Sequence, residues 1–76
     1  MRKNEFNFEK NLGKEVYVVG IDHQNVQQDY FVYFNLEEAK EHYNILNNKN
    51  ESKDYSYTLE KCIVKESELE TEEVIY

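Results

Sequence analysis

From Glu15 to Ile21 (EVYVVGI) apolar side chains fill both alternating positions, Val16 and Val18 on one side and Tyr17, Val19 and Ile21 on the other. A short run of β-branched and aromatic residues of this kind predicts a strand covered on both faces. Asp29 to Phe34 (DYFVYF) repeats the pattern, with Tyr30, Val32 and Phe34 on one face and Phe31 and Tyr33 on the other, and predicts a second strand. The polar stretch between them, DHQNVQQ, is short enough for a hairpin loop tightened around Gln24 and Asn25, so the two strands are expected to pair antiparallel.

Asn35 precedes Leu36, Glu37, Glu38 and Ala39, which is an N-cap residue followed by acids in the first helical turn, where the helix dipole favours them. At a helical repeat Leu36, Ala39, Tyr43 and Leu46 form one stripe, the expected core face, opposite Glu37, Glu38 and Glu41. The helix is expected to end near Asn47 to Asn50, where NNKNESKD is polar and turn-prone. Tyr55 to Val64 (YSYTLEKCIV) alternates Tyr55, Tyr57, Leu59, Lys61 and Ile63 against a more polar face of Ser56, Thr58, Glu60, Cys62 and Val64, and predicts a third strand.

The expected fold class is therefore α+β: a small β-β-α-β domain with a three-stranded antiparallel or mixed sheet and one helix packed on one face. A crossover through the helix sets the third strand parallel in direction to the second, with the most apolar strand between them, spatial order 2-1-3. The chain divides into a basic lead-in over 1–14, this core over 15–65 and an acidic tail over 66–76. The lead-in, with Phe6, Phe8 and Leu12, reads either as a short helix ending at Gly13 or as an extra edge strand.

One helix covers one face of such a sheet. The residues left over are then Val16, Val18, Phe31 and Tyr33, or Tyr17, Val19, Tyr30 and Val32, depending on which face meets the helix. At about 25 cal/mol per Å² of apolar surface, leaving them in water forgoes several kcal/mol, comparable to the stability of a small domain. The cover is expected to be either the Phe6/Phe8 segment or a second copy or partner surface, giving a homodimer in the latter case.

With 76 residues the chain has room for one core, and the family of multidomain enzymes, repeat arrays and barrels is excluded. The net charge of −7 is unevenly placed: residues 1–14 carry +2, residues 15–65 carry −4 and residues 66–76 carry −5. A surplus of carboxylates argues against direct binding to nucleic acid or to an anionic membrane surface. No apolar run approaches the roughly 20 residues that span a bilayer, and Asn4, Glu5, Asn7, Glu9 and Lys10 break up any signal-like stretch behind Arg2 and Lys3. A cytoplasmic location is expected, and the single cysteine, Cys62, fits a reducing compartment.

No catalytic, cofactor or nucleotide motif is present, and the chain is expected not to be an enzyme and to carry neither cofactor nor metal. Glu38 and His42 share a helix side and Asp22 and His23 a loop, but zinc sites usually show paired Cys/His spacing, which one cysteine cannot supply. Asp22 and His23 with Ser52, Ser56 or Ser67 have no spacing that creates a nucleophilic triad. Cys62 reads as an inert core residue.

The segment beyond Lys65 is where the chain departs from a generic domain. Glu66, Glu68, Glu70 and Glu72 recur every second residue, followed by Glu73 and the apolar end Val74, Ile75 and Tyr76. An extended chain places such carboxylates about 6.7 Å apart, close to twice the ~3.4 Å rise per phosphate of a DNA strand. Alternatively Ser67 and Glu70 form a capping box that starts a short helix. On the main helix Ile45 stands among Glu37, Glu38 and Glu41, an apolar residue within an acidic face. The seven tyrosines add amphipathic contact area.

The expected function is a non-enzymatic, acidic protein-binding inhibitor. It would dock through Glu37, Glu38, Glu41, Ile45, Glu66, Glu68, Glu70, Glu72 and Glu73 on a basic surface, the nucleic-acid groove of another protein being the leading class of partner. In small size, acidity, lack of catalytic motifs and abundance of Asn, Lys, Glu, Ile and Tyr, the chain resembles in type the small phage and mobile-element proteins that inhibit host nucleic-acid enzymes, among them anti-CRISPR and other anti-defence proteins. That resemblance is carried by no motif and assigns no residue. The alternative is a homo-oligomeric accessory subunit or small-ligand-binding module that uses the uncovered sheet face.

Overall fold

Two consecutive left-handed residues, Gln24 (φ 52°) and Asn25 (φ 67°), close the first hairpin, the backbone of a two-residue turn whose twist matches that of paired strands. They join β1 (Glu15–His23) to β2 (Val26–Tyr33), in the computed structural model, which describes residues 1–49 and 54–76. The helix α1 (Leu36–Lys49), β3 (Tyr55–Val64) and β4 (Leu69–Val74) follow. Four strands in the order β2-β1-β3-β4, each antiparallel to its neighbours, make one sheet with α1 packed against it. The order 2-1-3 holds, and the three-stranded expectation is corrected to four.

The hairpin carries an irregularity that period-2 reasoning does not contain. Asp22 stands opposite Gln27, but Ile21 stands opposite Asp29, leaving Gln28 as a bulged extra residue. A one-residue slip exchanges the faces of everything beyond it. Val18 therefore meets Val32 and Val19 meets Phe31. The face away from α1 holds Val16, Val18, Tyr30 and Val32, and the α1 face holds Tyr17, Val19, Phe31 and Tyr33. Each expected grouping thus paired β1 with the wrong half of β2, as an unbulged two-residue hairpin would.

The α1 layer forms as its sequence dictates. Asn35 Oδ1 accepts the backbone N–H groups of Glu37 (2.7 Å) and Glu38 (3.3 Å), satisfying two of the free donors of the first turn. Leu36, Ala39, Tyr43 and Leu46 then pack on Val19 and Leu59, with Tyr17, Tyr33 and Ile75 around them. The turn expected over NNKNESKD lies partly outside the described residues.

Residues 66–76 are neither a free tail nor a capped helix. Lys65 N–H donates to the Glu68 carbonyl (2.9 Å), which closes a tight return from β3 and sets Leu69 opposite Val64. A second bulge follows: Thr71 stands opposite Cys62 and Glu73 opposite Lys61, so Glu72 is the extra residue. That slip brings Ile75 onto the Leu59 side of the sheet, where it joins the core under α1 and Tyr76 stacks on Tyr43 (5.1 Å between ring centroids). The N–H groups of Ile75 and Tyr76 both donate to the Leu59 carbonyl, at 2.8 and 3.1 Å.

The N-terminal segment supplies the cover for the opposite face. Phe6 is only 7% exposed and packs among Val16, Val18, Val32, Cys62 and Val64, with Phe8 edge-on to it at 5.1 Å. Neither expected form is adopted in full. A single 3₁₀ turn at Lys3–Glu5 is preceded by a two-residue bridge, Arg2 opposite Phe31, on the outer edge of β2. Turns over residues 8–13 end at Gly13, whose φ of +81° suits glycine and whose N–H donates to the Val64 carbonyl (2.8 Å).

Candidate functional site

The nine sequence-selected residues fall into two groups on opposite edges of the sheet. Glu38, Glu41 and Ile45 border a shallow groove with His42 and with Tyr33 of β2, and Glu37 lies further round the exposed side of α1. Glu70, Glu72 and Glu73 belong to β4, at the edge of the sheet opposite β2. Ile45 is 44% exposed beside its glutamates.

The β3–β4 hairpin concentrates the charge. Glu66 and Glu68 occupy its turn and Glu70, Glu72 and Glu73 its outer strand, all exposed. Two lysines stand near them, one of which is paired to them. Lys65 pairs with Glu70 at 3.4 Å, and Lys61, opposite Glu73, pairs with Glu15 at 3.4 Å, an attachment that raises the Lys61 pKa. Because Glu66 and Glu68 sit in a turn and Glu72 in a bulge, the even row of carboxylates expected of an uninterrupted strand is not formed. The result is an irregular anionic edge.

Inside that edge lies a cleft that the sequence reading did not single out. It has a volume of about 330 Å³, and opens on the sheet face away from α1. Val18 and Cys62 form an apolar floor, Tyr30 contributes an aromatic ring, and Glu60, Glu68 and Thr71 contribute polar groups. Among the described residues no lysine or arginine lines it. Glu60 is partly buried, and its carboxylate's one hydrogen-bond or ion-pair partner among the described residues is the Thr71 hydroxyl, which donates to Oε2 at 3.3 Å. The Cys62 thiol in turn points at Thr71 Oγ1 (3.9 Å), and burial pushes its pKa up, keeping it protonated and inert. Burial, with Asp29 beside it, also raises the Tyr30 pKa, so the ring stays a neutral phenol. The signal for this cleft was Glu60, a charged residue on the same face of β3 as the buried Cys62 and Val64.

The groove at the other edge contains a titrating pair. The Tyr33 hydroxyl bonds His42 Nδ1, and Phe31 lies edge-on to the imidazole at 4.6 Å. Burial and then the N-terminal ammonium lower the His42 pKa, while burial and Glu38 raise that of Tyr33. A neutral imidazole accepting from a phenol is the consistent arrangement. Below its ordinary value of 6.5, His42 binds protons more readily in the unfolded chain than in the folded one. Stability is therefore expected to fall as pH drops through that value and to level off below the depressed folded one. Melting temperatures of wild type and His42→Gln between about pH 7.5 and pH 5 check this, since the histidine's share of the slope must vanish in the variant. Equal slopes in the two proteins rule it out.

Among the described residues no three His, Cys, Asp or Glu side chains gather in a way that could hold a metal ion. No helix among them is long and apolar enough to cross a membrane. Compared with known proteins, the chain matches no family model, no curated protein and no solved structure.

Proposed function

We propose that this protein is a non-enzymatic binding module whose acidic β3–β4 edge docks on a basic surface of another protein, with a nucleic-acid-handling surface as the receptor class and inhibition as the outcome. The carrying observation is the hairpin itself: five exposed glutamates on one turn and one outer strand, with Lys65 the only cation ion-paired to any of them among the described residues. Complementary charge of this density speeds encounter and selects basic partners. The irregular spacing favours recognition by overall charge over a copy of the phosphate repeat. The same glutamates and the Glu72 bulge also discourage a second copy from pairing along β4, because like charges would face each other across the junction.

Reversal of Glu66, Glu68, Glu70 and Glu72 to lysine tests the reading. It changes the net charge from −7 to +1 without touching a buried side chain. Binding to an immobilised lysine- and arginine-rich peptide, and to proteins captured from lysate, is expected to weaken by about tenfold or more on reversal, and in wild type by raising salt. Retention of the same partners at the same affinity by the reversed protein would sink it.

The alternative, a small-ligand module, is favoured by one feature, the 330 Å³ cleft, which lies at the lower end of ligand-pocket sizes. A homodimer through the sheet face is the lesser form of that alternative, since Phe6 and Phe8 already cover the part around Val16 and Val64.

A further inference from the structure

The cleft and the acidic edge are one continuous surface, because Ser67, Glu68 and Leu69 of the hairpin turn and β4 also wall the cleft. We propose that the cleft receives the side chain of a single lysine or arginine presented by the basic partner, anchoring the complex that the glutamates outside attract. This rests on the docking reading above and gives it a specific point of attachment.

Four features of the lining select that occupant. Glu60 and Glu68 are anionic and no cation among the described residues lines the cleft, so an anionic ligand meets repulsion. Glu60 is partly withdrawn from water and, among the described residues, has only a neutral hydroxyl as its partner, so an ammonium or guanidinium arriving there gains more than it would from an exposed carboxylate. Tyr30 offers an aromatic ring of the kind that attracts cations, and Lys3 Nζ stands 5.9 Å from its centroid without being among the lining residues. Val18 and Leu69 supply apolar surface against which the methylene stem of such a side chain packs while its charged head reaches the carboxylates. A bare inorganic cation would leave the ring and the apolar floor unused. A neutral apolar ligand would strip water from Glu60 and return nothing.

Titration of the ¹⁵N-labelled protein with N-acetyl-lysine-N-methylamide and its arginine counterpart, followed by amide chemical shifts, tests the proposal. Saturable shifts are expected at Val18, Tyr30, Glu60, Cys62 and Leu69, with none from the neutral norleucine analogue. Affinity should fall about fivefold in Glu60→Gln, as for one partly buried ion pair. Tyr30→Leu should weaken it by a similar factor, and dispersed spectra of both variants verify that the fold survives. Equal shifts from the norleucine analogue, or no shift at the cleft with the cationic probes, overturn the proposal. Tighter binding of free 1,4-diaminobutane than of the blocked amino acids overturns the partner side chain as the source. A lysine- and arginine-rich peptide separates this failure from that of the docking reading. If its affinity drops on Glu70→Gln and Glu73→Gln but not on Glu60→Gln, the cleft is wrong and the acidic edge stands; if none of these changes matters, both fall.

Discussion

Phe6→Ala is expected to remove about 3–4 kcal/mol of folding stability, out of the roughly 4–11 kcal/mol typical of a chain this long. The ring is the one fully inserted side chain of the N-terminal segment, and it fills the space above Val16, Val18, Val32, Cys62 and Val64. Its removal leaves a cavity that Phe8, edge-on to it, can only partly fill. The loss has a recognisable shape as well as a size. Residues 1–13 are held mainly by this anchor, by the Arg2 bridge to Phe31 and by the mutual hydrogen bonds of Met1 and Val32. Amide exchange is therefore expected to accelerate first over that segment and at Val32, accompanied by binding of an apolar dye to the uncovered sheet face, before global unfolding. An unfolding free energy from urea titration within about 1 kcal/mol of wild type, with the segment still protected, would show that Phe6 lies on the surface and does not hold it.

Leu59→Ala is expected to cost a similar 3–4 kcal/mol but to act everywhere at once. Leu59 is 0% exposed on the central strand β3, against Val19 of β1 and Ala39 of α1, with Ile75 beside it. Its backbone carbonyl also receives the N–H groups of Ile75 and Tyr76. Leu59 belongs to the cluster that joins α1, β1 and Ile75, so truncation loosens helix and sheet together. Exchange should rise uniformly, with one cooperative transition shifted to lower urea, and no segment should detach early. Early release of residues 1–13 in this variant would contradict the separation of the two cores on opposite sheet faces.

The contrast matters for the proposed function, because the cleft sits on the Phe6 face and the acidic hairpin is tied to the Leu59 face through Ile75 and Tyr76. The site thus stands where both packing layers are completed by the two ends of the chain.

What the amino-acid sequence alone determined was everything with a strong local signal. The dense β-branched and aromatic runs specified β1 and much of β2, the alternation from Tyr55 to Val64 specified β3, and Asn35 with its apolar stripe specified where α1 starts and which side is buried. Gln24 and Asn25 marked the turn, and these elements together sufficed for the order 2-1-3. The glutamates beyond Lys65 were legible as charge but not as a strand: β4 is an outer strand whose exposed positions carry no apolar period, and its pairing comes from β3 rather than from LETEEV itself.

Only the tertiary structure decided the registers. Whether Val18 meets Phe31 or Val32 depends on one bulged residue, Gln28, and whether Ile75 faces solvent or α1 depends on another, Glu72. Neither has a local signature, since a bulge is chosen by the packing it makes possible. The same holds for the cleft, whose Tyr30, Glu60 and Thr71 come from three different strands and meet because of those registers. Local chemistry names the elements of this protein, whereas the surface that would bind a partner is a product of how they align.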